Sequence, residues 1–393
     1  MSSNHSSSTM PPATRILGPL KVPSKLLMGP GPSNMRESVR IVLGAPLLGH
    51  MHTEFINIMD DVKAGLQYLF QTNNELTFAV SGSGHAGMEC AVMNLLEPGE
   101  TVLVVQTGIW GQRVADLVDR LGGRVQTLNV EAGKAATLEM FSKAVEDCKP
   151  AVVFVCQGES STGVAQPLEG FGDVCHKNGA LLLVDAVASI GCVPLQMDAL
   201  NIDCVYAATQ KVLGAPPGLA MVSFSECAVQ KMRTRKTRVP SFYFDAFELA
   251  NYWGCSNEPR RYHHTAPISL VYALREALSE IANEGLEQCL LRHRQCADFL
   301  YSKLEEIGLK PYVKEKSIRL PGLTTIELPP NVEFKLIIDK LMSQGIEIAG
   351  GLGPTVGKVW RIGTFGVNAD KEKILKTVHA LDEALKTVHN KDV

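Results

Sequence analysis

The sequence predicts an α/β protein, with a large domain built on a mostly parallel seven-stranded sheet and a smaller α+β domain after it. Three observations carry this expectation. At 393 residues the chain exceeds what one hydrophobic core organises, so two domains with a cleft between them are expected. From about Glu75, short β-rich runs alternate with helical stretches, the rhythm of a parallel sheet wrapped by helices. After Pro267 the pattern turns to long helical periodicity, which places an N-terminal arm at 1–24, the large domain at 25–283 and the small domain at 284–393.

The elements follow in order. Glu54–Phe70 has the spacing of an amphipathic helix, suited to cover a sheet or meet a second subunit. The seven expected strands are Leu76–Val80, Thr101–Val105, Arg124–Val130, Ala151–Cys156, Leu181–Val187, Cys204–Ala208 and Leu219–Ser223. Between them His85–Leu95, Gly111–Leu121, Leu138–Cys148 and Leu168–Asn178 space their apolar residues as helices do, with Gly or Pro punctuating several ends. One helical stretch is expected over Ile268–Leu304. Then come Leu323–Leu328, a helix at Phe334–Ser343, strands near Ile346–Ala349 and Val359–Gly363, and a closing helix over Lys371–Val388.

Composition narrows the function. Hydrophobic residues make up 45% and charged residues 20%, as in ordinary globular proteins. Lys and Arg number 38 against 41 Asp and Glu, a net charge of −3 that offers no global attraction to nucleic acid or anionic membrane. No apolar run reaches the ~20 residues of a membrane helix. The ten cysteines form neither a CxxC pair nor a zinc-finger cluster, so free thiols and no metal centre are expected. The Ser-rich residues Met1–Ser8 lack the apolar stretch of a secretory signal, and Arg15, Lys21 and Lys25 are few for a transit peptide.

In open α/β sheets ligands sit beyond the carboxyl ends of the strands, which is where the chemistry is sought. Ser83-Gly84-His85 opens a helix after a strand, so its free N–H groups suit a phosphate, although glycine makes such turns for structural reasons too. Asp185 ends the most apolar strand, where a carboxylate is costly without a cationic partner. A loop amide could satisfy it, or a protonated pyridine nitrogen that the acid keeps as an electron sink. Lys211, 26 residues after Asp185, directly follows a second apolar strand, and a lysine desolvated there has a lowered pKa and an amine free for imine formation. Trp110, expected on a loop, offers a flat face for stacking or simply for packing. Arg361, in the run Val359-Trp360-Arg361-Ile362-Gly363, calls for a carboxylate from the protein or from a substrate.

With these residues in hand, the chain resembles fold-type I pyridoxal-phosphate enzymes. More closely it is similar to the alanine–glyoxylate and serine–pyruvate aminotransferase group, including insect members. The resemblance runs from Leu27 to the last helix through MGPGPSN at Met28–Asn34, SGSGH at Ser81–His85, GIWGQR at Gly108–Arg113, GESSTG at Gly158–Gly163, VDAVAS at Val184–Ser189, QKVLGAPPG at Gln210–Gly218, NYWGC at Asn251–Cys255, RYHHT at Arg261–Thr265 and GGLGP at Gly350–Pro354. It implies that pyridoxal 5'-phosphate is held by Lys211 as a Schiff base and that Asp185 holds its pyridine nitrogen. It further implies cofactor contacts from Ser83, Gly84, His85, Trp110, Ser160 and Gln210, with Tyr262 and Thr265 reaching the cofactor of a second subunit in a homodimer. Arg361, Ser160 and the backbone near Gly31 would meet the substrate. The implied reaction moves the amino group of L-alanine to glyoxylate by a ping-pong route, giving pyruvate and glycine.

Alternatives stay open at this point. A close insect relative transaminates 3-hydroxykynurenine, but Gly49-His50-Met51 resembles the Gly-Ser-Met of the alanine–glyoxylate type, and Met51 would fill the space an aryl substrate needs. Serine–pyruvate transamination, a lyase or decarboxylase using the same cofactor, and a non-catalytic binding protein complete the set. The resemblance also implies a peroxisomal location. The tail Lys391-Asp392-Val393 departs from the Ser-Lys-Leu signal, which leaves cytoplasm or mitochondrion as the other compartments.

Overall fold

The computed structural model describes residue 10 and residues 13–256, 258–330 and 332–389. The expectations placed on Met1–Ser8 and on Asn390–Val393 lie outside the described residues. Seven strands form the main sheet: β1 (Leu76–Ser81), β2 (Thr101–Gln106), β3 (Arg124–Asn129), β4 (Val152–Cys156), β5 (Leu181–Asp185), β6 (Cys204–Ala208) and β7 (Leu219–Phe224). Their spatial order is β1-β7-β6-β5-β4-β2-β3. Every neighbouring pair is parallel except those of β7, which runs antiparallel to both β1 and β6. Strands β4, β6 and β7 are buried along their whole length, as a sheet covered on both faces requires. Strand β3 is the open edge, which explains its polar sequence RVQTLN.

Local chemistry sets where elements begin and end. Strand β5 stops two residues short of the expected Val187 because the Asp185 carboxylate accepts the Val187 N–H at 2.8 Å, turning the chain. Thr137 caps the helix Leu138–Cys148 by accepting the Met140 N–H at 3.2 Å. The helix Ile109–Arg120 starts two residues before the expected Gly111, so Trp110 lies in its first turn rather than on a loop. The cause is Glu159, whose carboxylate accepts the Trp110 N–H at 3.3 Å at the positive end of that helix. The expected single helix over Ile268–Leu304 is two, Ile268–Glu284 and Leu286–Glu306, parted by Gly285 at φ 86° and ψ 131°. Helices Glu37–Val42, Glu226–Arg233 and Ala246–Trp253 were not expected; the last two begin at Ser225 and Asp245, whose side chains cap them.

The main core takes in buried residues from Val39 to Ile281. The helix Thr53–Phe70 covers it, lying so close to Ile268–Glu284 that a Cβ on Gly65 would stand 2.9 Å from Leu278. A second core gathers Met28 with residues between Cys296 and Leu385, around the sheet of β8 (Leu323–Glu327), β9 (Ala349–Gly350) and β10 (Val359–Gly363) in the order β8-β10-β9. The segment Leu26–Leu27 pairs in parallel with Ile346–Glu347, and the Gly363 N–H donates to the Met28 carbonyl at 2.8 Å. A small third cluster, including Val212, Cys289 and Phe365, lies between the two. Among the described residues, no helix is long and apolar enough to cross a membrane.

Candidate active site

The ends of β1, β2, β4, β5 and β6 open into a cavity of about 390 Å³, closed on its other side by Pro30–Pro32, Leu352 and Arg361. Ten of the twelve residues singled out from the sequence line it: Gly31, Ser83, Gly84, His85, Trp110, Ser160, Asp185, Gln210, Lys211 and Arg361. The other two do not. Tyr262 is 59% exposed and Thr265 is exposed, their hydroxyls 3.3 Å apart on the surface beside His50, outside this chain's own cavity. Met51 is likewise outside it and 37% exposed.

Lys211 is buried at the end of β6, its Nζ donating to the Pro30 carbonyl at 2.5 Å and lying 5.3 Å from the centre of the Phe365 ring. Ser33 Oγ donates to the Lys211 carbonyl at 2.6 Å, fastening the same segment to the backbone of the lysine. Burial, reinforced by the charge of Arg361, pushes the Lys211 pKa down to about 8, while Asp185 pulls the other way. A reactive neutral amine is therefore available near neutral pH.

Asp185 accepts from the Val187 N–H and, at 2.8 Å, from the Tyr206 hydroxyl, its partner in the β5–β6 register. Burial pushes its carboxyl up to about 6 against the pull of those donors and of Lys211. Glu159 is fully buried and pushed up to about 7 by the same loss of solvent, although Ser161 and Trp110 donate to it. The contact is tight enough that a Cβ on Gly108 would meet the Glu159 carboxylate carbon at 2.3 Å. Trp110 is set from both ends, its indole N–H donating to Ser160 Oγ at 3.0 Å and its ring edge-on to His85 at 5.7 Å.

Arg361 is 7% exposed, and its hydrogen bonds run to two backbone carbonyls, Nε to Gly350 at 2.7 Å and Nη1 to Ser160 at 3.1 Å. Among the described residues no carboxylate forms an ion pair with it, so the guanidinium faces the cavity with charge to offer. The sequence reading missed Glu159, Tyr206 and Phe365. Glu159 stood inside the GESSTG stretch and Tyr206 opposite Asp185, whereas nothing local marks Phe365. One group of potential metal donors, His176, Asp203 and Cys227, lies away at the opposite ends of the strands, and there Asp203 already accepts from the Leu182 N–H and the Ser225 hydroxyl.

A buried amine facing a buried acid, with an unpaired guanidinium across a small cavity, is a site for carbonyl and amine chemistry on an anionic substrate. The family model for aminotransferase class-V matches residues 43–376. The chain belongs to the class-V aminotransferases. It is 48% identical over 375 residues to an alanine–glyoxylate aminotransferase of Felis catus, covering 95% of this chain and 91% of that one. It is 43% identical over 380 residues to another of Drosophila melanogaster, covering 96% of each. A crystal structure of an alanine–glyoxylate aminotransferase from Nostoc sp. superposes with a TM-score of 0.92 at 43% identity, covering 98% of this chain and 100% of that chain.

Class-V aminotransferases work with pyridoxal 5'-phosphate, and the residues present fit that group. No side chain caps the helix Gly84–Leu95, and although the Ala86 N–H donates to the Ser83 carbonyl at 2.8 Å, the N–H groups of Gly84 and His85 are left for a phosphate. The buried Oε1 of Gln210 has no hydrogen-bond partner in this cavity wall, as expected of an atom that a ligand group would satisfy. Asp185 and Lys211 supply the acid and the amine on the same side of the cavity.

Proposed function

We propose that this chain transfers the amino group of L-alanine to glyoxylate, giving pyruvate and glycine in two half-reactions. The observation that carries the reading is the placing of the buried Lys211 amine, the Asp185 carboxylate and the unpaired Arg361 guanidinium around one cavity of about 390 Å³. When bound, the cofactor supplies an electron sink that makes the α-proton of an amino acid removable.

The residues divide the remaining work. Lys211 would hold the cofactor through Nζ, and its amine, at the cavity wall, is the group that would take and return the α-proton of the substrate. Asp185, oriented by Tyr206 and Val187, would hold the protonated pyridine nitrogen. The amides of Ser83, Gly84 and His85, with Gln210, would hold the phosphate, and Trp110, its indole fixed by Ser160, would offer its face to the ring. Arg361 grips the substrate carboxylate beside Ser160 and the Gly31 backbone, which sets the amino group towards Lys211.

Tyr262 and Thr265 complete the phosphate site of a second copy in a homodimer, a reading their exposure favours. The domain boundary falls at the helix break near Gly285, with 1–24 as an arm, 25–283 as the large domain and 284–393 as the small one; the separate cores support it. Peroxisomal residence follows the family alone and is tested by fractionation. The function is tested by adding L-alanine, L-serine and 3-hydroxykynurenine separately to the holoenzyme and following loss of the lysine-bound cofactor absorbance. Fast loss with alanine, and return of the band on adding glyoxylate, is expected. Fast loss with 3-hydroxykynurenine and little with alanine would make the chain a transaminase of that aryl substrate instead.

A further inference from the structure

Ser81, the last residue of β1 and the first of the SGSGH loop, is tied by a continuous run of hydrogen bonds to the segment carrying Tyr262 and Thr265. Its Oγ lies 2.6 Å from His264 Nε2, His264 Nδ1 lies 2.7 Å from His263 Nδ1, and His263 Nε2 lies 3.1 Å from the Phe242 carbonyl. With both rings neutral, the carbonyl at one end of the run sets the proton positions. A carbonyl only accepts, so His263 Nε2 carries the hydrogen and its Nδ1, on a neutral ring, is an acceptor. His264 Nδ1 must then donate, its Nε2 accepts, and the Ser81 hydroxyl is the donor at the end of the run. For His264 the neutral ring is favoured, because burial pushes its pKa down to about 4.

Packing holds the two rings in place. His263 is 9% exposed and stacks on Phe242 at 4.8 Å, and His264 meets the rings of Tyr243 and Tyr252 at 5.1 and 5.5 Å. The Tyr243 hydroxyl donates to the Ser81 carbonyl at 3.1 Å, so the hydroxyl and carbonyl of Ser81 are both met from this side, while β7 holds the strand end through the Ser81–Leu219 pair and the Gly82 N–H donates to the Gly218 carbonyl at 2.8 Å. Next along the loop, Gly82 has φ +151°, and a Cβ there would stand 2.4 Å from that of Ala86. The course of the loop into the cavity therefore depends on what anchors its start, the sheet on one side and His264 with Tyr243 on the other.

We propose that His264, seated on His263, is a positioning residue: it anchors Ser81 so that the amides of Ser83, Gly84 and His85 stay aimed into the cavity. The same anchor fixes the turn that carries Tyr262 and Thr265. The inference rests on reading that loop as the cradle of the cofactor phosphate. Neither histidine lines the cavity, so the effect is on cofactor affinity through the loop and not by contact.

The test measures dissociation constants for pyridoxal phosphate on the apo-protein for the native chain, His264→Ala, Ser81→Ala, the double variant and His264→Gln. Each alanine variant is expected to bind about tenfold more weakly, or ~1.4 kcal/mol. The double variant should be no weaker than either single one, because both break the same link. His264→Gln places an amide oxygen where Nε2 accepts and should recover most of the affinity. Native-like binding by His264→Ala overturns the proposal, and so do losses that add in the double variant with no recovery by glutamine, the pattern of mere packing. If His264→Ala does not fold, Ser81→Ala and His264→Gln decide between the same two outcomes: weak binding by the first with near-native binding by the second supports the anchor, and equal binding by both overturns it. A native chain that takes up no pyridoxal phosphate refutes the cofactor reading itself, and this proposal falls with it.

Discussion

Arg361→Ala offers a sharp test of substrate recognition, because the structure separates what the guanidinium does for the protein from what it has left to offer. Its Nε and Nη1 serve the carbonyls of Gly350 and Ser160, and no described carboxylate forms an ion pair with it, Glu159 acting only from a greater distance. Removing it leaves two carbonyls beside the cavity, where water can replace their donor at small cost. The loss to the reaction is a charge-assisted grip on the substrate carboxylate, worth about 3 kcal/mol in total at ~1.5–3 kcal/mol for each such bond. At ~1.4 kcal/mol per decade this is a fall of roughly 10²-fold in kcat/KM for L-alanine. The assay is the half-reaction on variant holoenzyme that retains its lysine-bound absorbance, run in parallel with ethylamine, which has no carboxylate. Ethylamine should react equally with both enzymes. A fall below about threefold for alanine, or a matching fall for ethylamine, would refute the assignment.

Three further predictions concern the buried charges. Lys211→Ala is expected to fold and bind the cofactor only reversibly, with no lysine-bound band and nothing trapped by borohydride; retained trapping would move the covalent link elsewhere. With its pKa pushed down to about 8, the Lys211 amine of the apo-protein should capture pyridoxal phosphate at a rate that rises with pH and levels off above that value, whereas an inflection near 10.5 would contradict the desolvation argument. Glu159 is raised from 4.5 to about 7, so the folded chain binds its proton more tightly than the unfolded one. Its contribution must then fall as pH rises from 4.5 to 7, by on the order of 3 kcal/mol. Melting of the apo-protein should show Glu159→Gln losing less stability than the native chain across that interval, and parallel pH profiles would exclude Glu159 as the source.

The strands and the acid–amine pair were legible for one reason: Asp185 and Lys211 interrupt apolar runs at the ends of strands, where an ionisable group needs a purpose. The reversed direction of β7 was not, since LAMVSF reads as a buried strand whichever way it runs. The helix break at Gly285 was masked by apolar spacing that continues on both sides, and only a backbone at positive φ parts them. Trp110 was misplaced because its helix is started by Glu159, a residue 49 positions further on, and no local signal reports a cap that arrives from another strand. The second-subunit role of Tyr262 and Thr265 came from resemblance alone.

The pairing of Leu26–Leu27 with Ile346–Glu347 has a consequence for how the chain is made. The early strand leaves the ribosome some 320 residues before its partner, a delay on the order of tens of seconds at ~5–20 residues per second. Throughout that interval Met28, which ends fully buried, has no core to enter. The segment that presents Pro30 to the lysine is thus among the first synthesised and the last to settle. Substitutions in it should lower the yield of folded protein in the cell before they alter the turnover of the molecules that do fold.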